Sequence, residues 1–85
     1  MVEKISINIK VISLNVEHNF LIPCEMSVAD ATELIVQTLR EEYHGVKKNP
    51  TNGHVLLQAS SGKMLNQTCS FRQLEIVQGE RLILI

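Results

Sequence analysis

From Lys4 to Val11 apolar and polar residues alternate strictly, with Ile5, Ile7, Ile9 and Val11 on one side and Lys4, Ser6, Asn8 and Lys10 on the other. A period of two is the mark of a strand with one buried face. A second alternation sets His18, Phe20 and Ile22 against Glu17, Asn19 and Leu21. The turn signal at Ser13 to Asn15 lies between the two runs, so they are expected to pair as a hairpin. Pro23 ends the second run, because its nitrogen has no proton for a ladder. The period then changes. Ser27 stands before a segment in which Val28, Ala31, Leu34, Ile35, Thr38 and Leu39 recur at helical spacing, while Asp30, Glu33, Gln37, Arg40 and Glu41 fall on the other side. The Ser27 hydroxyl is placed to accept an early amide proton, and Asp30 sits in the first turn. Gly45 is expected to close the helix, and the segment through Gly53 is rich in turn formers and reads as the principal loop.

Beyond that loop, His54 to Ala59 reads as a short strand, Ser60 to Lys63 as a turn and Met64-Leu65 as a short edge strand. Phe71, Leu74 and Ile76 suggest a single helical turn or wrapped loop, Gln78-Gly79-Glu80 a tight turn, and Arg81 to Ile85 the last strand. One helix with an apolar stripe and several strands with one apolar face bury both surfaces only if the helix lies across one face of the sheet. The expected fold is α+β, a β-grasp in which a mixed sheet of four to five strands carries one main helix, with the last strand beside the first. Eighty-five residues allow a single domain, 1–85.

Composition narrows the chemistry. The chain is 45% hydrophobic with no Trp, one Tyr and two Phe, so the core is aliphatic. Eight basic and nine acidic side chains lack the positive excess that phosphate backbones demand, so nucleic acid is not an expected partner. No apolar run approaches the roughly 20 residues of a bilayer span, and Met1 to Ser6 has no secretory pattern, so a cytoplasmic location without membrane insertion is expected. Cys24 and Cys69 form no CxxC and read as free, packed thiols; pairing either with His18, His44 or His54 as a nucleophile has no local signature. The histidines have no ligand spacing, Glu41 and Glu42 beside Arg40 read as a solvated helix end, and Lys47-Lys48 as solvated loop. Gly45, Gly53, Gly62 and Gly79 are turn glycines with no phosphate-cradling cluster. No catalytic residue, cofactor or metal is expected.

The order of elements, the segment Pro50-Thr51-Asn52-Gly53-His54, the lone Lys63, Cys69, and the closing Ile76 to Ile85 (I-V-Q-G-E-R-L-I-L-I) resemble the YukD/EsaB family of ubiquitin-like proteins. That family is encoded with the type VII (WXG100, ESAT-6-like) secretion systems of Gram-positive bacteria. The resemblance implies a ubiquitin-like fold and a supporting or regulatory role in secretion through protein contacts, and it supplies no catalytic residues. A conjugating ubiquitin-like protein would end in Gly-Gly; here the last residues read as an apolar strand, and a β-branched Ile85 held in a sheet does not enter an activating enzyme. Binding without covalent transfer is therefore expected. Where the family tends to place charge on the outer sheet face, this chain has Leu57 and Ile83. If Leu56 and Leu82 point to the helix, then Leu57 and Ile83 point away from it, with Ile85 and Leu21 nearby. These four are the candidate protein-binding residues. Self-association of that strip through a two-fold contact stays open. So does a second role, as accessory subunit of a multicomponent enzyme such as a bacterial monooxygenase, a class that also uses ubiquitin-like subunits without Gly-Gly.

Overall fold

The computed structural model describes residues 3–43 and 54–85. The elements run β1 (Lys4–Val11), β2 (Val16–Pro23), α1 (Val28–Glu42), β3 (Leu56–Gln58) and β4 (Arg81–Leu84). The alternating Ile and Val residues of β1 suit a pleated, half-buried strand. β1 and β2 form a hairpin registered from Lys4 opposite Pro23 to Val11 opposite Val16. Its turn is closed by Leu14 N donating to Val11 O and Asn15 N to Ile12 O, and Asn15 adopts a φ of 52°, which asparagine tolerates better than most residues.

Ser27 caps α1 as its sequence position suggests: the Asp30 amide donates to Ser27 Oγ at 3.2 Å. Two further amides at this helix start, those of Val28 and Ala29, donate to Cys69 O and Gln67 O, so the segment before Phe71 is tied to the helix N-terminus. The helix ends at Glu42 with Tyr43 as its cap. Gly45, the expected helix stop, and the loop through Gly53 lie outside the described residues.

The buried side of α1 differs from the expected stripe. Val28, Ala31, Ile35 and Leu39 are buried, but Thr32 and Val36 take the inner places expected of Leu34 and Thr38, which are exposed. The helix is rolled toward the Thr32 and Val36 side. Thr32 can be buried there because its hydroxyl donates to Val28 O at 2.7 Å, so no polar group is orphaned.

The sheet order is β2-β1-β4-β3, with β1 parallel to β4 and the other pairs antiparallel, so the first and last strands form its centre as expected. β3 is shorter than the expected strand at 54–59. Met64 and Leu65 form no strand of their own, although Met64 makes an isolated bridge to Leu57. The turns at Gly62 (φ 72°) and Gly79 (φ 83°) use the left-handed region that glycine enters freely. Between them Phe71 and Ile76 plug the core through a series of turns, with Leu74 packed against it. The core thus joins Ile5, Ile7, Ile9 and Val11 of β1, the helix stripe, Leu56, Leu82 and Leu84.

Candidate protein-binding face

The helix covers one face of the sheet, and the other face carries the odd-numbered residues of β2, β3 and β4 and the even-numbered residues of β1. On β4 the alternation places Leu82 and Leu84 inside, so Ile83 faces outward and is half-buried between its neighbours. Across the sheet, one row runs Glu17, Lys10, Ile83, Leu57, Met64, each residue paired with the next. Leu57 and Ile83 are therefore direct cross-strand partners.

Ile85 extends this surface by one row. Its backbone exchanges two hydrogen bonds with Val55, at 3.1 and 3.2 Å, and its side chain is 54% exposed. Ile12, whose amide donates to Leu84 O, is exposed at the same end. The result is an apolar surface on the β4 and β3 half of the outer face, made by Val55, Leu57, Met64, Ile83 and Ile85, with Lys10 and Arg81 on its border. The next row, Asn19, Asn8, Arg81, is polar, and Asn8 Nδ2 donates to Asn19 Oδ1 at 3.2 Å.

Of the four candidate residues, three come together: Leu57, Ile83 and Ile85. Leu21 does not join them. It pairs with Ser6, four residues along β1 from the Lys10 row and so about 13 Å away, on the strand at the opposite edge. It is 63% exposed, with polar positions between it and the others. Val55 and Met64 were missed as members of the surface. The alternation Val55, Leu57, Ala59 is a sequence signal for the first; the second depends on a turn that brings Met64 back beside Leu57.

Of the other histidines and cysteines, His44 lies outside the described residues. His18 lies on the helix side of β2, where its Nε2 is 2.6 Å from Tyr43 Oη and 3.9 Å from a Glu42 carboxylate oxygen, and its ring meets Tyr43 edge-on. This cluster fastens the end of α1 to the hairpin. His54 has a lowered pKa, first from burial and second from the positive charge of Arg40. Cys24 is buried, Cys69 half-buried, and both are free thiols. Arg72 bridges Glu3 and Glu25, tying the start of β1 to the connection before α1, and the paired carboxylates push its pKa further up. Among the described residues there is no group of three metal-ligating side chains, and no helix is long and apolar enough to cross a membrane.

No protein-family model and no curated protein sequence matches the chain. Solved structures do. The ubiquitin-like domain of EccD5 from Mycobacterium xenopi superposes with a TM-score of 0.76 at 17% identity, covering 98% of this chain and 93% of that one. A subunit of the MycP5-free ESX-5 inner membrane complex gives a TM-score of 0.74 at 17% identity over 96% of this chain and 20% of that one. A chain of the toluene 4-monooxygenase HD complex gives 0.79 at 5% identity, covering 96% of each. These likenesses agree with the layer order, the parallel pairing of first and last strands and the single helix: the chain has the ubiquitin-like β-grasp fold.

Proposed function

We propose that this chain is a non-enzymatic, ubiquitin-like protein-interaction module, a cytosolic accessory or regulatory component of a type VII secretion system. It docks without covalent transfer through the apolar half of its outer sheet face. The observation that carries the reading is the grouping of Val55, Leu57, Met64, Ile83 and Ile85 on three adjoining chain segments, away from the helix and the core. A contiguous apolar surface with a polar border marks a contact site more often than scattered exposed aliphatics do. Lys10 and Arg81 on its border suit a partner segment that is apolar at its centre and acidic at its rim. The secretion assignment is supported by the YukD/EsaB resemblance and by the fold likeness to EccD5 and to a subunit of the ESX-5 membrane complex, a mycobacterial type VII apparatus.

The likeness to a chain of the toluene 4-monooxygenase complex favours a second reading, an accessory subunit of a multicomponent oxygenase. Affinity capture from a bacterium with a type VII system separates the two. Recovery of a secretion component, lost with Leu57→Asp and with Ile83→Asp, supports the first reading. Recovery of an oxygenase component supports the second. Secretion left intact by both substitutions would refute the docking surface.

A further inference from the structure

β2 is an edge of the sheet, and its backbone parity can be read from β1. Asn8 N donates to Glu80 O and Ile12 N to Leu84 O, while Ser6 O accepts from Gly79 N, so the even residues of β1 turn their backbone groups toward β4. The odd residues turn toward β2, where they meet Ile22, Phe20, His18 and Val16. Cys24 N donating to Glu3 O continues the same series. The N–H and C=O groups of Glu17, Asn19 and Leu21 therefore point away from the sheet, and no backbone group among the described residues pairs with them.

Exposed edges are ordinarily blunted by charged side chains, lysine above all, by proline, by a bulge or by shortness. β2 is eight residues long, pairs one-to-one throughout and contains no lysine, with Glu17 its one charged side chain. Pro23, at its end, limits the usable edge to Glu17 through Leu21. On the helix side, Val16, His18 and Phe20 are only half-buried.

We propose that this edge pairs with β2 of a second copy of the chain, antiparallel about a two-fold axis at Asn19. The edge is self-complementary in this register and in no neighbouring one. Glu17 lies opposite Leu21 of the second copy and Asn19 opposite its own copy, so the three outward N–H and three outward C=O groups of each chain form six hydrogen bonds. On the helix side His18 meets Phe20 of the second copy and Val16 meets Ile22, which covers the half-buried row. On the outer side the Asn8 to Asn19 amide contact continues across the axis as a row of four amides. Moving the axis to His18 sets two imidazoles face to face and calls on Asn15, whose positive φ takes it out of the strand. Moving it to Phe20 sets Glu17 against Pro23, which has no proton to give. The dimer has one continuous eight-stranded sheet with both helices on the same face. The apolar half of each outer face, on β3 and β4, stays free at the two ends.

An edge pairing of this extent buries less than stable interfaces do, so the association is weak and concentration-dependent. Sedimentation equilibrium of the chain from about 10 µM to about 1 mM tests it, and a dimer fraction rising with concentration is expected. Asn19→Lys places two ammonium groups across the axis at an exposed position and weakens dimerisation at least about tenfold, with unchanged circular dichroism. Asn19→Cys in a Cys69→Ser background gives a disulfide-linked dimer on mild oxidation, since hydrogen-bonded pairs place Cα atoms about 5.5 Å apart; Glu17→Cys in the same background does not. A monomer at every concentration, a dimer indifferent to Asn19→Lys, or equal cross-linking from Glu17→Cys overturns the proposal. A monomer whose Glu17, Asn19 and Leu21 amides gain protection only when an extended peptide is added also overturns it, by giving the edge another occupant.

Discussion

Truncating Leu82 and truncating Ile83 remove nearly the same number of atoms from adjacent positions of one strand, yet the structure predicts very different costs. Leu82 is fully buried beneath the helix. Leu82→Ala loses about 2.4 kcal/mol of transfer free energy, taking three methylene equivalents at about 0.8 each, and a cavity term brings the total to about 3 kcal/mol or more. Ile83 is half-buried on the outer face and leaves no closed cavity, so Ile83→Ala costs about 1 kcal/mol. A domain of this size has about 4 to 13 kcal/mol in total, so the first change removes a large share of its stability and the second does not. In urea, with a slope of about 1 kcal/mol per molar, the midpoint moves by about 3 M for Leu82→Ala and about 1 M for Ile83→Ala. Circular dichroism at the helix band follows both. Equal shifts, or a larger one for Ile83→Ala, would mean that β4 is registered one residue away, and the outer face as described would not exist.

Other consequences are as direct. Ser27→Ala removes the side-chain acceptor of the Asp30 amide and lowers stability by about 1 kcal/mol, measured as a shift in the urea midpoint. His54 titrates below its ordinary range, and its folded-state depression means that the stability it contributes is present above its unfolded pKa and lost as pH falls through the folded one. Arg40→Gln moves the His54 midpoint, followed by its ring protons in NMR, part of the way back up, because burial is the larger cause and persists. Arg72→Gln breaks an exposed double bridge to Glu3 and Glu25; it lowers the thermal midpoint slightly in dilute buffer and has no effect in high salt.

The strand of Lys4 to Val11 was legible because alternation is a local signal, and the inner row Ile5, Ile7, Ile9, Val11 follows from a period of two. Leu56-Leu57 and Leu82 to Ile85 are apolar throughout, so the outward setting of Leu57 and Ile83 followed only on the condition that Leu56 and Leu82 face the helix. The facing of the helix was less legible. Leu34 is more apolar than Thr32, and only the packing around α1 decides which of them turns inward, with a hydrogen bond to Val28 O making the threonine acceptable. Phe71 is among the most buried residues in a stretch with no periodicity, because its place is set by contacts with elements far away in the chain. The candidate face was half legible for the same reason. Alternation says which side of a strand Leu21 occupies, but not that β2 lies at the far edge from β3, and so could not separate Leu21 from Leu57.

Docking as proposed requires that a partner be held on the outer face. The most direct measurement is a two-dimensional NMR titration of the labelled chain with the captured secretion component. Shifts and broadening concentrated at Val55, Leu57, Met64, Ile83 and Ile85, with the outer side of α1 unmoved, are predicted. Perturbations concentrated on the exposed helix positions Glu33, Leu34 and Gln37, with those five unchanged, would contradict it.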